Sequence, residues 1–93
     1  MAKIMVQFHF PNTTLQQYDQ VWAEIRASSH THPQGLLYHA GGQNENDILV
    51  VAIWETVDAF MQFGETLRPL LAKNGFPQVK PVVTPIHFEL IGR

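Results

Sequence analysis

The sequence predicts one α+β domain over residues 1–93, with a ferredoxin-like β-α-β-β-α-β order and a four-stranded antiparallel sheet. Three observations predict it. Residues 3–10 and 81–91 alternate in side-chain character, the period of a strand. The segments after Thr14 and Thr56 place apolar residues at three- and four-residue steps behind capping residues, the period of a helix. Residues 48–54, ILVVAIW, form an unbroken apolar run, which suits a strand buried on both faces.

The elements follow in order. In KIMVQFHF, Ile4, Val6, Phe8 and Phe10 share one face, and Met5, Gln7 and His9 share the other. Pro11 ends this strand. Thr14-Leu15-Gln16-Gln17 fits a capping box, and Leu15, Tyr18, Trp22 and Ile25, with Val21 beside them, make one apolar stripe. Ser28 to Gln34 is a loop punctuated by Pro33. Gly35 to Ala40 is the second strand, Gly41 to Asn46 a polar turn, and Asp47 to Glu55 the third strand. Thr56 caps the second helix, with Asp58 in its first turn. Its stripe is Val57, Phe60, Gly64, Leu67 and Leu71. Pro69 should kink it, and Lys73, Gly75 and Pro77 stop it. Pro81 to Ile91 is the last strand, with Pro81 and Pro85 placing its first half on an edge or bulge.

The composition bounds the partners. Of the 93 residues, 45% are hydrophobic and 15% charged, against about 25% charged in an ordinary domain. So small a chain buries roughly 60–65% of its unfolded surface. The apolar excess calls for a subunit interface, a ligand cavity or both. Helices cover one face of a single sheet, so a third strand apolar on both faces needs a second cover, and a copy of the chain would supply it. The net charge is −2 and the cations are scattered, which argues against nucleic acid. No basic amphipathic helix and no apolar run of about 18 residues argues for a membrane. There is no cysteine, hence no disulfide, thiolate metal site or Cys nucleophile. Residues 1–10 lack the apolar core of a signal peptide, so a cytoplasmic location is the default expectation.

Val51-Ala52-Ile53-Trp54-Glu55-Thr56 and Ala59-Phe60-Met61-Gln62-Phe63, preceded by Pro33-Gln34-Gly35-Leu36-Leu37-Tyr38-His39, resemble the strand-to-helix junction of the antibiotic biosynthesis monooxygenase family. The resemblance implies a dimeric α+β barrel, a homodimer paired through its sheet faces. It also implies a pocket between sheet and helices for a small hydrophobic or aromatic ligand. Family activities include cofactor-free oxidation of polycyclic phenols and heme degradation. The heme-degrading branch uses an Asn on the first strand and a Trp and a His on the second helix. Those two helix positions fall here on Phe63 and Lys73, and the first strand has no Asn, which disfavours heme degradation.

Histidine acts as a base near neutral pH without a large shift. His9, His39 and His87 fall on expected strands. A simple hairpin sets Gly42 against Asp47 and His39 against Val50, so His39 shares a face with Val50, Ala52 and Trp54. His39 and His87 are therefore the candidate catalytic bases. Gln7, His9, Tyr38, Trp54, Phe63 and Trp22 are the candidate substrate contacts. Each also has a structural reading, as a core or interface side chain with a backbone partner. His30-Thr31-His32 supplies two ligands where zinc needs three or four, so no metal is expected. The expectation is a cofactor-independent monooxygenase-like enzyme, with no cofactor, acting on a small aromatic or polyketide-type substrate. Two alternatives stand beside it: a non-catalytic protein that holds a small hydrophobic ligand, and a stress-related structural dimer.

Overall fold

The computed structural model describes residues 3–28 and 32–92. The elements are β1 (Ile4–Phe10), α1 (Leu15–Ala27), β2 (Leu36–Asn44), β3 (Asp47–Trp54), α2 (Val57–Lys73) and β4 (Val82–Pro85). They build one four-stranded sheet in the order β2-β3-β1-β4, with every neighbouring pair antiparallel.

The helix ends are built from the residues that predicted them. Thr14 accepts from the Gln17 amide at 3.1 Å, and the Gln17 side chain accepts from the Thr14 amide at 2.8 Å. This is a complete capping box, which satisfies two amides that otherwise have no helical partner. Thr56 accepts from the Ala59 amide at 3.1 Å. At the far end of α2, Gly75 takes φ +77°, its amide donates to Ala72, and Phe76 donates to Leu71. Those two bonds are a Schellman motif, and its left-handed residue favours glycine. α2 runs unbroken through Pro69. A polar clamp then ties the helices together. Gln17 donates to the Asn74 carbonyl at 2.8 Å, Asn74 donates to Glu24 at 3.0 Å, and Lys73 pairs with Glu24 at 3.0 Å. Lys73 and Asn74 hold the Glu24 carboxyl below its ordinary range.

One face of the sheet packs on both helices. Ile4, Val6, Phe10, Ile48, Val50, Ala52 and Trp54 are buried there against Val21, Ile25, Phe60 and Phe76. Within the helical stripes Val21, Ile25, Phe60 and Gly64 are buried, whereas Leu15 and Val57 lie at the first turns and are exposed. The opposite face is uncovered. Met5, Leu49 and Val51 are about 40% exposed there, with Ile53 half-buried and Tyr38 exposed beside them.

Three expectations are corrected. β2 runs on to Asn44, so the connection to β3 is only Glu45-Asn46, with Glu45 at φ +58°. The register moves with it: Gly42 faces Leu49, Gly41 faces Val50 and His39 faces Ala52. That shift is two residues, and a strand alternates with period two, so His39 keeps the face expected of it. Second, a bulge lies between Leu36 and Tyr38. Third, β4 ends at Pro85 rather than Ile91. Pro85 already faces Ile4, the first residue of β1, and the last bond runs from the Ile86 amide to the Lys3 carbonyl at 2.9 Å. Beyond that point β1 offers no further partner, so the chain leaves the sheet. Phe88, Leu90 and Ile91 are left at least 75% exposed.

Candidate functional site

Between the sheet and the helices lies a small apolar cavity of about 50 Å³. His39, Trp22, Trp54 and Phe63 all line it, together with Tyr18 and Phe60. On liquid volume that is room for one or two water-sized molecules. It does not hold a substrate of several rings.

A larger cleft of about 580 Å³ adjoins it on the α2–β4 side. The two share Phe8, Phe10, Phe60, Leu67, Leu71 and Phe76 as a common wall. A ligand-sized volume therefore exists, but it is offset from His39 by a layer of aromatic rings.

Polar chemistry in the small cavity centres on one pair. The Tyr18 hydroxyl stands 2.6 Å from His39 Nε2. The two rings lie nearly parallel, and the Trp22 indole meets the imidazole edge-on at a centroid distance of 4.7 Å. Burial pushes the His39 pKa below its ordinary 6.5, because the charged imidazolium is desolvated. Burial likewise raises the Tyr18 phenol above 10.0; the Trp22 side chain opposes this shift and the Asp19 charge adds to it. Both shifts keep the proton on oxygen. Near neutral pH His39 is uncharged and Tyr18 keeps its proton, and the tautomer with its proton on Nδ1 leaves Nε2 to accept from the Tyr18 hydroxyl.

Tyr18 read from the sequence as a core aromatic at helical spacing. Its signal was Gly41, the residue on the cavity face of β2 beside His39. A Cβ at Gly41 would overlap the Tyr18 hydroxyl and ring. The glycine makes the space in which the tyrosine reaches the histidine. Gly35 has a different reason: its φ is +88°, and a Cβ there would come within 2.5 Å of Ala59 Cβ.

The other candidates lie elsewhere. Gln7, His9 and Tyr38 are on the uncovered face, because their strand positions alternate with those that meet the helices. None of them lines the cavity. His9 bonds Asp47 at 2.7 Å, and with the Asn12 amide it holds the Asp47 carboxyl below its ordinary 3.8. His87 follows the end of β4 and is exposed, so the sheet does not carry it into the cavity. Of the suggested chelating loop, His30 and Thr31 lie outside the described residues, and His32 is exposed. Among the described residues no three metal-ligating side chains gather. No described helix is long and apolar enough to cross a membrane.

No family model and no curated protein matches the chain. Solved structures do. SnoaB of Streptomyces nogalater, a cofactor-independent oxygenase, aligns with a TM-score of 0.72 at 14% identity, over 97% of this chain and 98% of its own. A dimeric ferredoxin-like protein from an uncultured marine organism aligns at 0.68 and 17% identity, over 100% and 95%. A Streptomyces coelicolor monooxygenase in complex with nanaomycin D aligns at 0.63 and 13% identity, over 99% and 93%. At such identities the likeness is one of fold, and the fold of this chain is the ferredoxin-like α+β fold of those oxygenases.

Proposed function

We propose that this protein is a monooxygenase-like enzyme that oxidises a small aromatic, polyketide-type substrate without a bound cofactor, with His39 as base acting through Tyr18. The observation that carries the proposal is the Tyr18–His39 hydrogen bond, set in an apolar cavity beside a ligand-sized cleft. The fold shared with a cofactor-independent oxygenase supports it.

In this reading the substrate body fills the cleft, the shared aromatic wall parts to admit its reacting edge to the small cavity, and its acidic phenol or enol hydroxyl donates to the Tyr18 oxygen. As that proton arrives, the Tyr18 proton passes to Nε2 of His39. The substrate anion is then electron-rich and poorly hydrated, the condition for reaction with dioxygen. One oxygen atom becomes bonded to the activated carbon as a carbonyl. The other leaves as water with the one hydrogen that carbon loses and the hydroxyl proton returned from His39, so the substrate supplies all the electrons. The small cavity suits a diatomic molecule, since apolar voids of this size stay dry.

The test is oxygen uptake across a panel of phenols and quinols. His39→Gln and Tyr18→Phe are each expected to lower turnover at least about tenfold while leaving the fold intact. His87→Ala is expected to change nothing. Full activity in both cavity variants overturns the proposal. Tight ligand retention with no uptake by the unaltered protein also overturns it, and identifies a binding protein instead. Because the His39 pKa is lowered, the acid limb of the rate profile is expected below pH 6.5, and it should vanish in His39→Gln.

We further propose that the uncovered sheet face seats a second copy. Met5, Leu49, Val51 and Ile53 present a contiguous apolar surface, of the kind that marks an interface. The dimeric ferredoxin-like neighbour supports this assembly. Light scattering is expected to give a dimer at micromolar concentration, and Val51→Asp a folded monomer. An unaltered protein that is monomeric there rules the dimer out.

A further inference from the structure

The cleft beside α2 has a charge pattern unlike the rest of the chain. The net charge is −2, yet this cleft is lined by two cations, Arg68 and Lys80, and by no acid. Lys3 is taken by Glu89 at 2.8 Å and Lys73 by Glu24 at 3.0 Å. Among the described residues no ion pair engages Arg68 or Lys80. The Arg68 guanidinium also folds back along its helix. A Cβ built on Gly64, one turn earlier, would lie 3.4 Å from its Nη1, so the charged head rests against the cleft wall.

Apart from Gln78, the rest of the cleft is lined by apolar residues and Gly64. Phe8, Phe10, Phe60 and Phe76 form its inner wall, and at about 580 Å³ it lies within the ~300–1,000 Å³ of small-molecule sites. A guanidinium beside an ammonium on an aromatic wall complements one class of ligand. Its apolar body excludes water, and its acidic group meets the cations at the rim.

We propose that this cleft binds a small amphiphilic anion, its apolar body against the phenylalanines and its carboxylate or equivalent acid held by Arg68 and Lys80. This rests on the reading of the cavity system as a substrate site and narrows the substrate to an acid. The acidic group sits at the end of the cleft away from His39, and the oxidisable ring faces the shared aromatic wall.

The experiment compares two fluorescent dyes of matched body: anilinonaphthalene sulfonate, which is anionic, and phenylnaphthylamine, which is its uncharged parent. In the double variant Arg68→Gln, Lys80→Gln, the sulfonate is expected to bind about tenfold or more weakly, the scale of one lost charge-assisted contact. The uncharged dye is expected to stay within about twofold. Arg26→Gln, outside the cleft, should alter neither. Rising salt should weaken the sulfonate alone. Unchanged sulfonate affinity in the double variant, equal weakening of both dyes, or no binding of either dye to the folded protein overturns the proposal. His39→Gln and Tyr18→Phe should leave both affinities intact. Loss of turnover in those variants and loss of anion binding in the double variant therefore fail or succeed separately.

Discussion

Trp54→Ala is expected to cost about 3–5 kcal/mol of folding stability, the range for removing a large buried aromatic. Trp54 is 3% exposed at the end of β3, with Phe60 at 5.9 Å and Phe63 at 5.4 Å between ring centroids. Its removal enlarges a void that is already present, and the aromatic neighbours, held on α2, have little freedom to collapse into it. A domain of this size has about 5–15 kcal/mol in total, so the variant sits close to unfolding. Trp54→Phe keeps most of the volume and is expected to cost less than half as much. Urea denaturation with an unchanged slope reads both values. A cost below about 1 kcal/mol would show that the indole lines a pliable pocket rather than holding the core. That outcome would strengthen the case for Trp54 as a direct substrate contact.

Gly41→Ala is expected to uncouple the Tyr18–His39 pair without altering either residue. Gly41 faces Val50 on the helix side of the sheet, and an added Cβ there overlaps the Tyr18 hydroxyl and ring carbons. The tyrosine must swing aside, and the 2.6 Å bond to Nε2 breaks. Leaving a half-buried donor or acceptor unpaired costs about 1–3 kcal/mol, and the overlap adds a comparable strain. Turnover should fall about tenfold or more, matching Tyr18→Phe. The neighbouring Gly42 is the control, since a Cβ there meets nothing within 4 Å and Ala should be silent. An imidazole nitrogen shift, read by nuclear magnetic resonance, reports whether Nε2 still accepts a hydrogen bond. Wild-type turnover and stability in Gly41→Ala would remove Tyr18 from the mechanism.

The element order, both helix caps, the C-terminal Schellman glycine and the double-sided apolar character of β3 were legible because each is written in residues close along the chain. His39 was legible as a cavity residue because strand parity survives a two-residue error in register. Two things were not legible. The pairing of Tyr18 with His39 spans 21 residues and joins a helix to a strand, and helical spacing alone marks Tyr18 only as apolar. The extent of β4 depended on where β1 begins, since a strand continues only while its neighbour does. His87 was misplaced for that reason. Gln7 and His9 carried the parity of the uncovered face from the outset. Parity says which residues share a side, and only the packed helices say which side holds a cavity.

The bulge in β2 has a consequence for any attempt to move this chemistry. Leu36 and His39 are three residues apart and both line the small cavity. In a regular strand an odd spacing sends two side chains to opposite sides. The irregularity between Leu36 and Tyr38 absorbs one residue and restores agreement. The extra residue and the bulge therefore belong together. Losing Leu37 would straighten the strand and leave Leu36 two positions from His39, so both side chains would still meet the cavity. A transplanted segment would keep both side chains inward either with the bulge and its extra residue together or with neither. A single-residue gap at this point between two otherwise matching chains would therefore leave the imidazole inward in both, whereas an extra residue in a strand that stays regular would turn one of the two side chains outward.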